Sequence, residues 1–266
     1  MLKSIECPYA HLHAQLDQGV LILSINRAEA KNALNMDLYI NLRQAICEAD
    51  QASEVRVLIL RSVDQDFSAG NDMQSFFQLP ELPQAGQAGS TPPFMLLKAT
   101  AEFSKPCIAA VRGACIGVAN TLLLHFDFVY ADNTATFQMP FVSLGLSLEG
   151  AASLLLVQRA GYHLAADMLL SAKKYDAYKA LKAGIINEVV DNPYESANAQ
   201  AQHLASLPIA SLKAVKKLMK HNLDQILKCI DDEGEIVMQR AQSPEMFEAV
   251  SAFIQKRPPD FSQFHS

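Results

Sequence analysis

The sequence predicts an α/β core followed by a helical C-terminal region, and three observations carry that prediction. A strand-like run at 20–25, a dense β-branched run at 55–60 and a buried-strand run at 108–111 alternate with segments of helical period, the pattern of strands separated by helices. From Tyr194 to Lys256 the pattern is almost entirely helical. Half of the 266 residues are apolar and 19% are charged, enough to bury one large core, with a division expected at 1–195 and 196–266.

Taken in order, Leu12, Ala14 and Leu16 alternate, Gln18-Gly19 makes a turn, and 20–25 follows, so the pair reads as a hairpin. A polar loop over 26–35 ends in Asn35, a candidate N-cap, and Leu38, Leu42, Ile46 and Ala49 then fall on one helix face. The strand at 55–60 runs into a turn-rich loop around Gly70, with a helix start expected near Asn71. Prolines and glycines crowd 79–93, which reads as a mobile loop. A helix is expected over 94–103 and a strand over 108–111. Gly117 then opens an apolar helix at 118–125, and two short strand-like runs follow. Helices are expected near 151–159 and 162–170, and a short helix plus an apolar run over 175–190.

Composition excludes several functions. The formal charge is −6 with no block of like charges, which argues against nucleic acid as a partner. Cys7, Cys47, Cys107, Cys115 and Cys229 are scattered without a CxxC pair, so free thiols in a reducing compartment are expected, with no disulfide or zinc framework. The histidines show no metal spacing, and GxGxxG, GxxxxGK[ST] and GxSxG are all missing. No signal-peptide pattern or membrane-length apolar run is present, and the last residues, Phe264-His265-Ser266, differ from a Ser-Lys-Leu address. The expectation is a cytoplasmic protein.

What remains is Glu149, a lone acid among Leu146, Leu148 and small residues, together with two glycine turns. A carboxyl in an apolar setting tends toward a raised pKa and can carry a proton, whereas a nearby helix start would lower it. Backbone N–H groups after Gly70 and Gly117 could converge on one oxygen, although both glycines also suit plain tight turns. Asp72 reads as a cap after Gly70, and Asp127 as a paired or hydrogen-bonded acid at a helix end.

Three motifs in order complete the reading: Asn26-Arg27 with Lys31-Asn32-Ala33-Leu34, then Phe67-Ser68-Ala69-Gly70-Asn71-Asp72-Met73, then Gly113-Ala114-Cys115-Ile116-Gly117. Together they resemble the crotonase (enoyl-CoA hydratase/isomerase) superfamily over nearly the whole chain. The resemblance implies a spiral of repeated ββα units and a helical C-terminal trimerisation region. It also implies a homotrimer or a hexamer of two trimers, and acyl-CoA thioester substrates with no further cofactor or metal. It places an enolate-binding N–H pair on Asn71 and Val118. It assigns substrate or CoA contacts to Lys31, Ala33, Leu34, Ser68, Ala69, Gly70, Asp72, Met73 and Gly117, and to Phe253 and Lys256 of the last helix.

Hydratases of this superfamily hold a water between two glutamates. Here those positions carry Thr121 and Phe141, leaving Glu149 in Gly145-Leu-Ser-Leu-Glu149-Gly150. That pattern resembles the Δ3,Δ2-enoyl-CoA isomerases of β-oxidation, most of all the peroxisomal-type branch, in which one acid shuttles the proton. Hydration or another enolate reaction, and a non-catalytic CoA-binding scaffold, are the alternatives.

Overall fold

Apolar runs that bury both faces of a strand set the architecture. In this computed structural model the described residues are 3–5, 8–72 and 87–264. A seven-stranded sheet is built from β1 (Lys3–Ile5), β2 (Leu12–Asp17), β3 (Val20–Ile25), β4 (Val57–Ser62), β5 (Cys107–Val111), β7 (Phe128–Ala131) and β10 (Glu188–Val189), in the order β1-β2-β3-β4-β5-β7-β10. The first three strands pair antiparallel, so the expected hairpin is present; β3 to β10 run parallel. A second, three-stranded sheet pairs β6 (Ala114–Ile116), β8 (Thr136–Gln138) and β9 (Tyr175–Asp176).

Alternate residues of the long strands enter two cores. Leu21, Leu23, Leu58, Leu60 and Ala109 face the larger one. Val20, Ile22, Val57, Ile59 and Ile108 face the other way. Burial on both sides is why these runs read as continuous apolar stretches rather than as alternation.

Helices follow strands in a repeated pattern: α1 (Met36–Gln51), α2 (Pro92–Glu102), α3 (Val118–Leu123), α4 (Ala152–Ala160), α5 (Tyr162–Ser171) and α6 (Ala177–Lys182). Asn35 caps α1 as expected, its side chain accepting from the Leu38 N–H at 2.9 Å. Leu34 bridges Asn71 and Ser68 bridges Cys115, so the layer of the small sheet continues along the chain. Each turn therefore runs from a main-sheet strand to a second-layer residue or strand and, where the next segment is described, on to a helix. This is the repeated ββα unit of the expected spiral.

The C-terminal helices are α7 (Pro193–Ser206), α8 (Ile209–Met219), α9 (Leu223–Arg240) and α10 (Pro244–Ile254). The division expected at 195/196 falls within α7, whose Ala197, Ala201 and Leu204 cover the outer face of the sheet. Helix α9 packs against α2 through Gly234, which lies beside Phe94. Among the described residues no helix is long and apolar enough to cross a membrane. Asn71 sits in a parallel bridge, with Leu34 bonded to the carbonyl of Gly70 and the N–H of Asp72; the helix expected to start near Asn71 would continue into residues outside the described ones. Residues 79–86 of the Pro/Gly loop lie outside the described residues.

Candidate active site

The two glycine turns converge on one cavity of about 600 Å³. The loop before α1 is fixed first. Asn32 takes a left-handed conformation that its short amide tolerates, accepts from the Arg27 N–H at 2.8 Å and donates to the Asp66 carbonyl at 2.7 Å. Ser68, fully buried, donates to the Asn32 carbonyl at 2.7 Å and accepts from the Gly70 N–H at 3.1 Å. Gly70 itself has φ +87°, and a Cβ there would lie 2.5 Å from the carbonyl oxygen of Ile116. Only glycine lets the two turns approach this closely.

That approach leaves two amides facing the cavity. In the Leu34–Asn71 bridge, Leu34 donates to the Gly70 carbonyl at 2.7 Å and Asp72 donates to the Leu34 carbonyl at 2.9 Å. The Asn71 N–H therefore points away from Leu34. Val118 is the first residue of α3, where an N–H has no intrahelical partner. Among the described residues neither amide meets an acceptor. The Asn71 side chain is held by Tyr39, whose hydroxyl donates to its Oδ1 at 3.1 Å.

Glu149 lies on the same wall, half-buried, on the segment that leads into α4. The segment is held along its length. Arg240 donates to the Gly145 carbonyl at 3.1 Å. His125 Nε2 lies 3.0 Å from the Gly150 carbonyl, and burial drives that imidazole down to a pKa of about 3, so it stays neutral and donates. A Cβ on Gly150, at φ +77°, would come within 2.9 Å of Thr121 Cβ. Thr121, fully buried, thus packs against the turn that carries the acid.

Desolvation pushes the Glu149 carboxyl up to about 8, and the charge of Glu233 adds to the rise. The two opposing effects expected on this acid are therefore resolved in favour of burial. Among the described residues no cation forms an ion pair with Glu149. At the far side of the cavity Arg27 pairs with Asp72 at 2.7 Å and donates to the Ala33 carbonyl at 2.9 Å. Asp72 is thus held by a cation; the residues it was expected to cap lie outside the described ones. Much of the remaining wall is apolar, with Phe94, Phe141, Leu144, Leu146, Val237 and Met238, and Glu29 and Ser147 also line it.

Of the residues singled out in the sequence, Ala33, Ala69, Gly70, Asn71, Asp72, Gly117, Val118, Glu149 and Phe253 line this cavity. Leu34 and Ser68 are buried behind it and hold its shape. Lys31 and Lys256 are exposed and off its wall, and Met73 lies outside the described residues. Sequence reasoning missed Tyr39, Met238 and Glu233. The signal for Glu233 was its phase: Ile226, Ile230, Glu233 and Val237 form the buried stripe of α9.

The family model for enoyl-CoA hydratase/isomerase matches residues 15–264. The chain belongs to the enoyl-CoA hydratase/isomerase, or crotonase, family. A solved structure from Acinetobacter baumannii, assigned to the enoyl-CoA hydratases/isomerases, shares 57% identity with a TM-score of 0.86, covering 90% of this chain and 100% of that one. Among curated relatives, 2,3-dehydroadipyl-CoA hydratase of Escherichia coli K12 is 31% identical over 92% of this chain and 95% of its own length. Enoyl-CoA delta isomerase 2 of Rattus norvegicus is 30% identical over 90% of this chain, which spans 62% of that longer protein. The chain is thus an enzyme of the crotonase type. Relatives at equal identity carry different reactions, so overall similarity does not choose among them, and the residues in the cavity must.

Proposed function

We propose that this crotonase-family protein is a Δ3,Δ2-enoyl-CoA isomerase acting on acyl-CoA thioesters, with Glu149 as its single acid/base. The observation that carries the reading is one desolvated carboxyl without an ion-pair partner, set among Leu144, Leu146 and Phe141 on the cavity wall, with Thr121 and Phe141 at the positions where a hydratase needs acids. Glu149 as carboxylate takes the C2 proton of a 3-enoyl thioester. The C–H electron pair moves into the C1–C2 bond, and the thioester oxygen takes up negative charge. The Asn71 and Val118 N–H groups stabilise that oxygen. The C3–C4 double bond then takes the proton back from Glu149 at C4, and the new double bond lies between C2 and C3. No water is consumed. A carboxyl titrating near 8 suits both halves of the step, since it binds and releases a proton close to neutral pH.

Ala33, Ala69, Gly70, Asp72, Gly117 and Phe253 are assigned to contact the thioester and acyl chain, with Lys31 and Lys256 at the mouth for the CoA phosphates. Exposed Leu218, Met219, Phe253 and Ile254 support assembly of copies into a trimer or hexamer. Light scattering on the purified protein, expected to give a multiple of three chains, tests that assembly.

The name of the Escherichia coli relative keeps hydration as the second reading. The deciding assay offers purified protein a 3-enoyl-CoA and, separately, a 2-enoyl-CoA. The proposal expects the conjugated product from the first and little water addition to the second. Rapid hydration without isomerisation would contradict it. Binding of either thioester without turnover would mark a scaffold.

A further inference from the structure

Glu233, on α9, is a second buried carboxyl that the proton shuttle does not use. Its residue is 5% exposed. Oε1 accepts from the Ser153 N–H at 2.9 Å, from the Ser153 hydroxyl at 2.6 Å and from the Cys229 thiol at 3.6 Å. Oε2 has no hydrogen-bond partner among the described residues. Helix α4 has no cap of its own, because Ala151 stands at its N-cap position in a left-handed conformation. Glu233 supplies the missing acceptor from another helix.

We propose that Glu233 is a positioning residue for Glu149, fixing the turn that carries the acid and setting a second buried carboxylate beside it. The inference rests on the isomerase reading for its role, although its physical content stands without turnover. Burial raises the Glu233 carboxyl, the donors on Oε1 offset part of that rise by favouring its charged form, and a charged Glu233 opposes ionisation of Glu149. The unpartnered Oε2 leaves that charge uncompensated. Other groups facing Glu149 are Tyr39 from α1, a phenol that burial keeps protonated, and neutral His125 through the Gly150 carbonyl. Arg27, Glu29 and Asp72 line the same cavity, and Arg27 pairs with both acids. Around Glu233, Lys98 pairs with Asp231 and Lys228 with Asp232, so neither lysine is committed to it.

The test titrates Glu149 directly, by carboxyl infrared or ¹³C-glutamate NMR, with Glu149→Gln as the assignment control. Glu233→Gln keeps an acceptor for Ser153 and removes the charge. It is expected to lower the Glu149 pKa by about one unit, a tenfold loss of proton affinity, and to move the acid limb of kcat/KM down with it. A role confined to capping α4 would change the melting temperature and leave both readings in place, and that result overturns the proposal. Should Glu233→Gln not fold, Ser153→Ala removes one donor to Oε1, favours neutral Glu233 and is expected to shift Glu149 in the same direction by less. An unmoved Glu149 in that variant overturns the proposal equally. Because the titration needs no turnover, failure of the isomerase reading alone would leave the shift intact.

Discussion

Asp127 and Glu149 are both carboxylates withdrawn from bulk water, on segments that follow and precede helices of the same core. Asp127 Oδ2 accepts from the Lys216 ammonium at 2.7 Å and from the Cys107 N–H at 2.8 Å. Lys216, with its side chain 7% exposed, also donates to the Lys105 carbonyl at 2.7 Å. Desolvation lowers the pKa of Lys216, but the partners around it more than restore it, so the lysine stays charged. Glu149 receives no such partners and instead meets apolar walls and a second acid. A buried charge with its hydrogen bonds satisfied holds α8 against the sheet. A half-buried acid with no ion-pair partner holds a proton in the cavity that two open amides also face, and that difference separates scaffold from chemistry.

The two carboxylates differ most in what their loss does to turnover. Replacing Glu149 by Gln is expected to lower isomerase kcat about 10²–10⁴-fold, read by product absorbance at saturating substrate. Asp127→Asn should leave kcat per folded molecule unchanged. The reverse holds for stability. Lys216→Met leaves Asp127 buried without its cation and is expected to cost about 3–5 kcal/mol in urea unfolding. Adding Asp127→Leu should recover much of that loss, because the uncompensated charge is gone.

The pH dependence sharpens the contrast. The folded Glu149 titrates at about 8, above its ordinary 4.5, so between those values the folded state holds a proton that the unfolded chain has released. Stability should therefore fall as pH rises from about 4.5 to 8 and level off above. At about 1.4 kcal/mol per unit the ceiling is near 5 kcal/mol, and cavity water reduces it to about 2–3. Glu149→Gln should remove this slope and unfold later than wild type at pH 8.5, gaining stability as it loses activity. His125 acts with the opposite sign. Its folded value of about 3 lies below 6.5, so stability is lost as pH falls from 6.5 toward 3. The smallest expected effect is on the rate profile: kcat/KM should rise tenfold per unit toward pH 8 and then flatten, with Asp127→Asn tracing the same curve.

Glu149 was legible in the sequence because it is isolated among leucines and small residues within one local segment. The strands, the hairpin and the Asn35 cap were legible for the same reason, since period and capping act over a few residues. Glu233 was not. It sits in Asp231-Asp232-Glu233-Gly234-Glu235, where neighbouring acids disguise it as solvated surface, and only the period of α9 reveals the buried phase. The Arg27–Asp72 pair and the Tyr39–Asn71 bond join residues distant in the chain, which no local pattern reports. Gly70 read as a turn, yet what requires glycine is the Ile116 carbonyl from another turn of the spiral.

In the proposed shuttle one carboxyl, Glu149, both removes and returns the proton. A 3-enoyl-CoA deuterated at C2 tests it most directly, with the position of the label in the 2-enoyl product read by mass spectrometry or NMR. The single-acid shuttle predicts that a substantial share of the deuterium arrives at C4 in the wild type, with turnover collapsing in Glu149→Gln. Complete loss of the label to solvent, or turnover that survives the substitution, would contradict it.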